Sequence, residues 1–254
     1  DYYNKDAIGE AVEILNMYKN ASLASGKHIR IDKNGKEIIR TGNHGSRWID
    51  IWDILGYRII PLQDATFVRK TEIDRVGGLN KEVDFCADVD LWIRILAKRK
   101  GIFSNRIWSF RQEHEEQRGS VAVVTFANDC GKSIELLLNS KYFPKNLIPY
   151  KKYIKAFQYL WQSTYFERNG DNNTAKQCLL KAINEDPRIY GVNKFREIYN
   201  KMNNFTKFEK LSIKCKTITN NFTSIPNRYI FLDDQFKHNF IFNSSNVETL
   251  WYLK

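Results

Sequence analysis

The order "TEIDRVGGLNKEVDFCADVDLWIRILAKRKGIFSNRIWSF", residues 71 to 110, constrains the fold more than any other stretch. A short helical run near Thr71 meets Gly77-Gly78, which stops it, and a polar loop follows. A second helical run begins near Asp88 and ends at Lys98, Arg99, Lys100 and Gly101, cations that suit the negative end of a helix. "GIFSNRIWSFRQEH" then reads as extended chain leading into a polar segment. Helix, loop, helix and strand in this succession point to an α/β layer packed on a sheet.

The upstream residues agree with that layout. Residues 5 to 19 carry Ile8, Val12, Leu15 and Met17-Tyr18 at helical spacing, which predicts a helix with that face inward. "GKHIRIDKNGKEIIRTG" predicts a hairpin, because Asn34-Gly35 supplies the positive φ angles of a tight turn. Ile51, Ile54 and Leu55 suit a short helix, and "YRIIPLQDATFVRK" reads as two extended pieces broken at Pro61. From about residue 120 the pattern is helical, over 121 to 140, 147 to 168 and 172 to 185, the last stopping before Pro187. Ala175, Cys178, Leu179, Ala182 and Ile183 form one stripe, and the final two helices resemble a single tetratricopeptide-type repeat. One such copy cannot bury its face alone and must pack on a neighbour. Residues 200 to 254 are rich in Asn, Lys, Phe and Thr, with strand-like runs in "NRYIFLDD" and "HNFIFNSS". The chain thus divides into 1–120, 121–199 and 200–254.

With 254 residues, 43% of them hydrophobic, the chain can bury a core without a disulfide or metal staple. No apolar run approaches the roughly 20 residues of a membrane span. The opening "DYYNKDAIGEAVEIL" starts without Met and enters a helical pattern at once, which reads as a piece of a longer chain. Cys86, Cys130, Cys178 and Cys215 lack CxxC pairing and metal-ligand spacing, so they read as free thiols of a reducing cytosol. The net charge of +11 attracts anions, but its lysines are spread among Asn, Tyr and Ile. They read as a solvated surface rather than a nucleic-acid face.

Two aspartates precede the apolar run of "FCADVDLWIRIL". From spacing alone Asp88 is an N-cap and Asp90 an i, i+4 partner of Arg94, with Val89, Trp92, Ile93 and Leu96 on one face. A wider set of elements adds a second reading. Arg69, then Gly77, Gly78 and Leu79, then Asp88, Asp90, Leu91, Trp92 and Arg94, then Phe110, Arg111 and His114 stand in the order of the second half of a catalytic domain. In this the chain resembles family 2 glycosyltransferases of the GT-A fold.

The resemblance implies a partial GT-A domain over 1–120 followed by a helical extension, and a set of roles. Asp88 matches the general base, the second acid of a Glu-Asp pair whose first position is Ala87 here. Arg111 and His114 match groups that face the donor diphosphate, His114 also approaching the metal. Asp90 and Trp92 fall in the acceptor-facing segment. Asp1 stands where the final acid of the metal motif lies and would help hold Mg²⁺ or Mn²⁺. The implied reaction moves a sugar from a nucleotide-diphosphate donor to a glycan, lipid-linked or protein acceptor, with inversion, in the cytoplasm near the inner face of the membrane. The family's nucleotide-holding strands are not among these residues, so the chain alone is expected to bind donor poorly. The rival expectation is a non-catalytic helical scaffold. Two further motifs stand out: "TGNHGSRW", with Trp48 and Trp52 as core or sugar-stacking residues, and "LAKRKG", a basic helix end or phosphate contact.

Overall fold

The computed structural model describes residues 1–40, 45–56, 59–113 and 123–201. His114 and the two strand-like runs beyond residue 200 lie outside the described residues. The architecture is α/β, a mixed sheet in a generic Rossmann-like layout, with a helical extension on its C-terminal side. In chain order the described elements are β1 (Tyr2–Tyr3), α1 (Ala7–Met17), β2 (Ala21–Ile31), β3 (Glu37–Arg40), β4 (Arg47–Ile49), α2 (Ile51–Leu55), β5 (Thr66–Val68), α3 (Lys70–Val76), α4 (Ala87–Leu96) and β6 (Lys100–Gln112). The extension holds α5 (Val123–Leu138), α6 (Lys151–Arg168), α7 (Asn172–Glu185) and α8 (Asn193–Lys201).

β2 and β6 run parallel at the centre, with Ala24 opposite Ile102 and Arg30 opposite Arg111. The outer edge of β6 is shared by β4 and β1, both antiparallel. The outer edge of β2 is shared by β5 and β3, also antiparallel. β2 is buried along its whole length, which is why it lacks the alternation of a half-exposed strand. The hairpin turn stands as expected, with Gly35 at φ 79°, but β2 begins five residues before the predicted hairpin.

One face of the sheet carries α1, and its orientation differs from the predicted one. Ala7 and Ala11 face the sheet, with Ile14 and Leu15 packed beside them, while Ile8, Val12, Met17 and Tyr18 are exposed. The reason is Trp108, fully buried under the helix with Ala24, Ala65 and Phe67. A large ring on the strand leaves room above it only for small side chains, so the alanine face docks. Gly26 belongs to the same packing. A Cβ there would lie 2.4 Å from the Trp108 ring, so this strand position accepts only glycine.

The other face carries α2 and α4. Its core runs unbroken from Leu23 and Ile49 through Ile93 and Ile95 into the extension as far as Ile198. Within the extension the stripe of α7, Ala175 through Ile183, is buried as predicted. It packs against α6, which packs in turn on α5. The neighbour that a lone repeat-like pair requires is therefore the rest of this chain.

α5 is also fastened covalently. Cys86 and Cys130 form a disulfide across 44 residues, so the free-thiol expectation is corrected for these two. Sequence spacing could not show it, because the pairing depends on α5 folding back on the N-terminus of α4. Cys178 is a free, buried thiol. Changing both bridged cysteines to Ser is expected to cost about 4 kcal/mol from loop-closure entropy alone. Equilibrium urea unfolding of the oxidised wild type against the double variant measures it, and treatment of the wild type with reductant is expected to move it toward the variant.

Candidate functional site

The two parallel strands end together, and in open α/β sheets the crevice beyond the carboxyl ends of the strands is where ligands bind. Here that end gathers polar side chains. β2 contributes His28 and Arg30, β6 contributes Ser109 and Arg111, and the 3₁₀ turn before β5 contributes Asp64. Asp88 joins them from the first turn of α4.

Asp64 is the hub. Its Oδ2 lies 3.2 Å from His28 Nδ1 and accepts the Ser109 hydroxyl at 3.0 Å. Burial pushes the Asp64 carboxyl up, but the hydrogen bonds from His28 and Ser109 and the charges of His28 and Arg111 outweigh it, so it sits below the usual 3.8. Asp64 is thus a fixed anion that orients an imidazole. Asp88 is the opposite case. Burial raises its pKa above 3.8, opposed by backbone hydrogen bonds and by Arg111, while the charge of Asp64 adds to the rise. The two carboxyls are thus shifted in opposite directions, one held as the anion and the other favouring its proton.

Asp88 does not cap α4. The N-cap is Cys86, whose side chain makes no capping bond, and Asp88 sits inside the first turn with Oδ1 accepting the Val89 N–H at 2.8 Å. The cap expectation is corrected, and its physical reason is the segment just upstream. The Asp129 carboxylate of α5 accepts the N–H groups of Asp84 and Phe85 at 3.0 and 2.8 Å, and the disulfide holds Cys86. These ties start the helix earlier than the aspartate. Asp88 remains half-buried, its carboxylate held by backbone N–H groups of the first turn.

The remaining expected residues divide clearly. Arg111 is half-buried near both carboxylates, and its side chain makes no hydrogen bond among the described residues. Asp1 is exposed beside it, with Oδ1 accepting the Gln112 N–H at 2.8 Å. Asp90 and Trp92 are buried rather than exposed with these groups. Asp90 is 2% exposed and is held by Arg94, and Trp92 is 5% exposed within the core. Position 90 lies about 200° round the helix from Asp88, and Trp92, one turn on from Asp88, is covered by the core, so neither is open to an acceptor. The ion pair of Asp90 with Arg94 is the one the spacing predicts. His28, Asp64 and Ser109 were not singled out from sequence. They lie 36 and 45 residues apart, and the pairing of β2 with β6 and with β5 brings them together.

Among the described residues no group of three or more His, Cys, Asp or Glu is placed to hold a metal ion. The Asp1 carboxylate is a single oxygen donor. That suits a magnesium-type ion, which takes one or two carboxylates and fills its shell with phosphate oxygens and water. No helix among the described residues is long and apolar enough to cross a membrane. No family model matches the chain, and no curated protein matches it.

Proposed function

We propose that this chain is the acceptor-side part of an inverting glycosyltransferase of the GT-A type, with Asp88 as its general base. The observation that carries the reading is a half-buried, raised-pKa carboxylate within electrostatic reach of Arg111, whose guanidinium makes no hydrogen bond among the described residues, near the carboxyl end of two parallel strands. An acceptor hydroxyl must lose its proton as its oxygen attacks the anomeric carbon, and a carboxylate whose pKa is lifted toward neutrality accepts that proton more readily. Arg111 supplies positive charge where a departing diphosphate gathers negative charge. Asp64 and His28 hold the floor rigid, and Asp64 keeps Asp88 from losing its proton too easily.

Asp1 would hold a divalent cation, which would supply Lewis-acid stabilisation of the leaving diphosphate when bound. Asp1 is held by the backbone of Gln112, one residue from Arg111, so both charges address one end of the crevice. Ala87 leaves Asp88 without an acid beside it in sequence; burial is what chiefly raises its carboxyl, with a smaller contribution from the charge of Asp64. The donor is a nucleotide-diphosphate sugar, and the acceptor is a glycan, a lipid-linked sugar or a protein.

The reading is tested by incubating the full-length protein, the proposed donor-binding half together with these residues, with nucleotide-diphosphate sugars and glycan acceptors and following release of the nucleoside diphosphate. Release that requires acceptor and Mg²⁺ or Mn²⁺ together is expected. Absence of release from the intact protein under every metal condition favours the helical scaffold, a reading supported by the extended buried surface of α5 to α8.

A further inference from the structure

The opposite end of the sheet holds a second, unrelated cleft. It is open, about 1150 Å³, and lies where β2 and β6 begin, lined by Lys19, Trp48, Lys98, Lys100, Lys145 and Asn146 among others. From Lys100 to Arg111 along β6 is about 35 Å at ~3.3 Å per residue, so the two regions do not share a ligand of ordinary size.

We propose that this cleft binds an acidic oligosaccharide, a sugar chain carrying spaced carboxylate or phosphate groups. Three kinds of group converge there. The first is an aromatic plane: Trp48 is 43% exposed, and its backbone is fixed by pairing with Ile102 on β6. Tyr18, 40% exposed, meets it edge-on with ring centroids 5.6 Å apart and braces the indole. An exposed, braced indole serves no core, and sugar faces stack on such rings. The second is uncommitted positive charge. Among the described residues the ammonium groups of Lys98, Lys100 and Lys145 have no hydrogen bond or ion pair. The third is amide: the exposed Asn20 and Asn146 offer both donor and acceptor to hydroxyl groups.

The other cations of the cleft are already engaged. Arg69 donates to the carbonyls of Ala21 and Leu15, and Arg99 pairs with Glu72, which Arg75 also holds. Glu72 and Asp50 leave carboxylates in the wall, Asp50 capping α2. A ligand with one phosphate per unit, such as a nucleic acid, meets repulsion from those carboxylates, whereas a chain with charges on some of its sugars places them at the lysines. The concavity of the site disfavours a flat membrane surface. The inference stands on the cleft alone and does not need Asp88 to act as a base.

The test is titration of the intact protein, by calorimetry and tryptophan fluorescence, with a hyaluronan hexasaccharide, which carries a carboxylate on every second sugar. Chitohexaose, a thymidine hexanucleotide and phosphatidylserine vesicles are run beside it. The hexasaccharide is expected to bind, more weakly as salt rises, and Trp48→Ala is expected to weaken it about tenfold. The double change Lys98→Ala, Lys145→Ala is expected to weaken it by a similar factor and flatten the salt dependence. All three side chains changed are exposed and line an open cleft, and unchanged thermal unfolding of each variant confirms the fold. Equal binding of chitohexaose, tighter binding of the nucleotide or the vesicles, no binding of the hexasaccharide, or variants that bind like the wild type would each overturn the proposal.

Discussion

Asp90→Ala is expected to destabilise the protein by about 3–5 kcal/mol, a large share of the 5–15 kcal/mol that hold a domain together. The size follows from what Asp90 neutralises. Arg94 donates to Asp90 at 2.8 Å, to the carbonyl of Val76 at 2.8 Å and to that of Gly78 at 2.8 Å. One guanidinium thereby joins α4 to the turn at the end of α3, where Gly77 and Gly78 adopt φ 80° and 74°. Without the carboxylate this nearly buried cation loses its counter-charge, and the turn it fastens loosens. Replacing the pair together, Asp90→Leu with Arg94→Met, is expected to recover much of the loss, because an apolar pair carries no desolvation cost. Urea midpoints for the single and double variants measure both effects. A single variant as stable as the wild type would show that the pair contributes little.

Asp88→Asn, two residues away, is expected to do the reverse. Sugar transfer should fall by about 10²- to 10⁴-fold, the usual contribution of a positioned base, while the thermal midpoint at neutral pH stays equal or rises. The sign follows from the raised pKa. The folded state binds the Asp88 proton more tightly than the unfolded chain, so this group favours folding most at low pH. That contribution is lost as pH rises from 3.8 through the folded value, and above it the buried charge is a constant cost. Asn carries no charge and can still accept the Val89 N–H, so the cost disappears and the helix start survives. Asp64 has the opposite sign. Its pKa is lowered, so it stabilises the fold above 3.8 and that contribution is lost as pH falls through its folded value. Two carboxyls in one crevice therefore separate by their stability profiles before any activity is measured.

Much of this arrangement was legible in sequence where the signal was local. The Gly77-Gly78 stop, the Asn34-Gly35 turn, the stripe of α7 and the i, i+4 pair of Asp90 with Arg94 each depend on neighbours within a few residues, and each stands in the structure. What was not legible depended on distant partners. The face that α1 buries is decided by Trp108, about a hundred residues away, so the larger apolar side chains lost to two alanines. The start of α4 is decided by Asp129 and Cys130, which moved Asp88 from cap to first turn. The same limit applies to the crevice. Asp88 and Arg111 could be named from their motifs, but Asp64 and His28, which stand beside them, carry no motif and meet only through strand pairing. The burial of Asp90 and Trp92 was not legible from their position in the motif either, because it depends on what packs over α4.

The most direct test of the central claim is the rate of sugar transfer as a function of pH for the intact protein and for Asp88→Asn, under single-turnover conditions with saturating donor, acceptor and Mg²⁺. The wild-type rate should climb with pH through a midpoint above 3.8 as Asp88 ionises, and the Asn variant should be slow and lack that limb. Transfer by Asp88→Asn at the wild-type rate, with the same rising limb, would contradict the assignment and move the base elsewhere in the molecule.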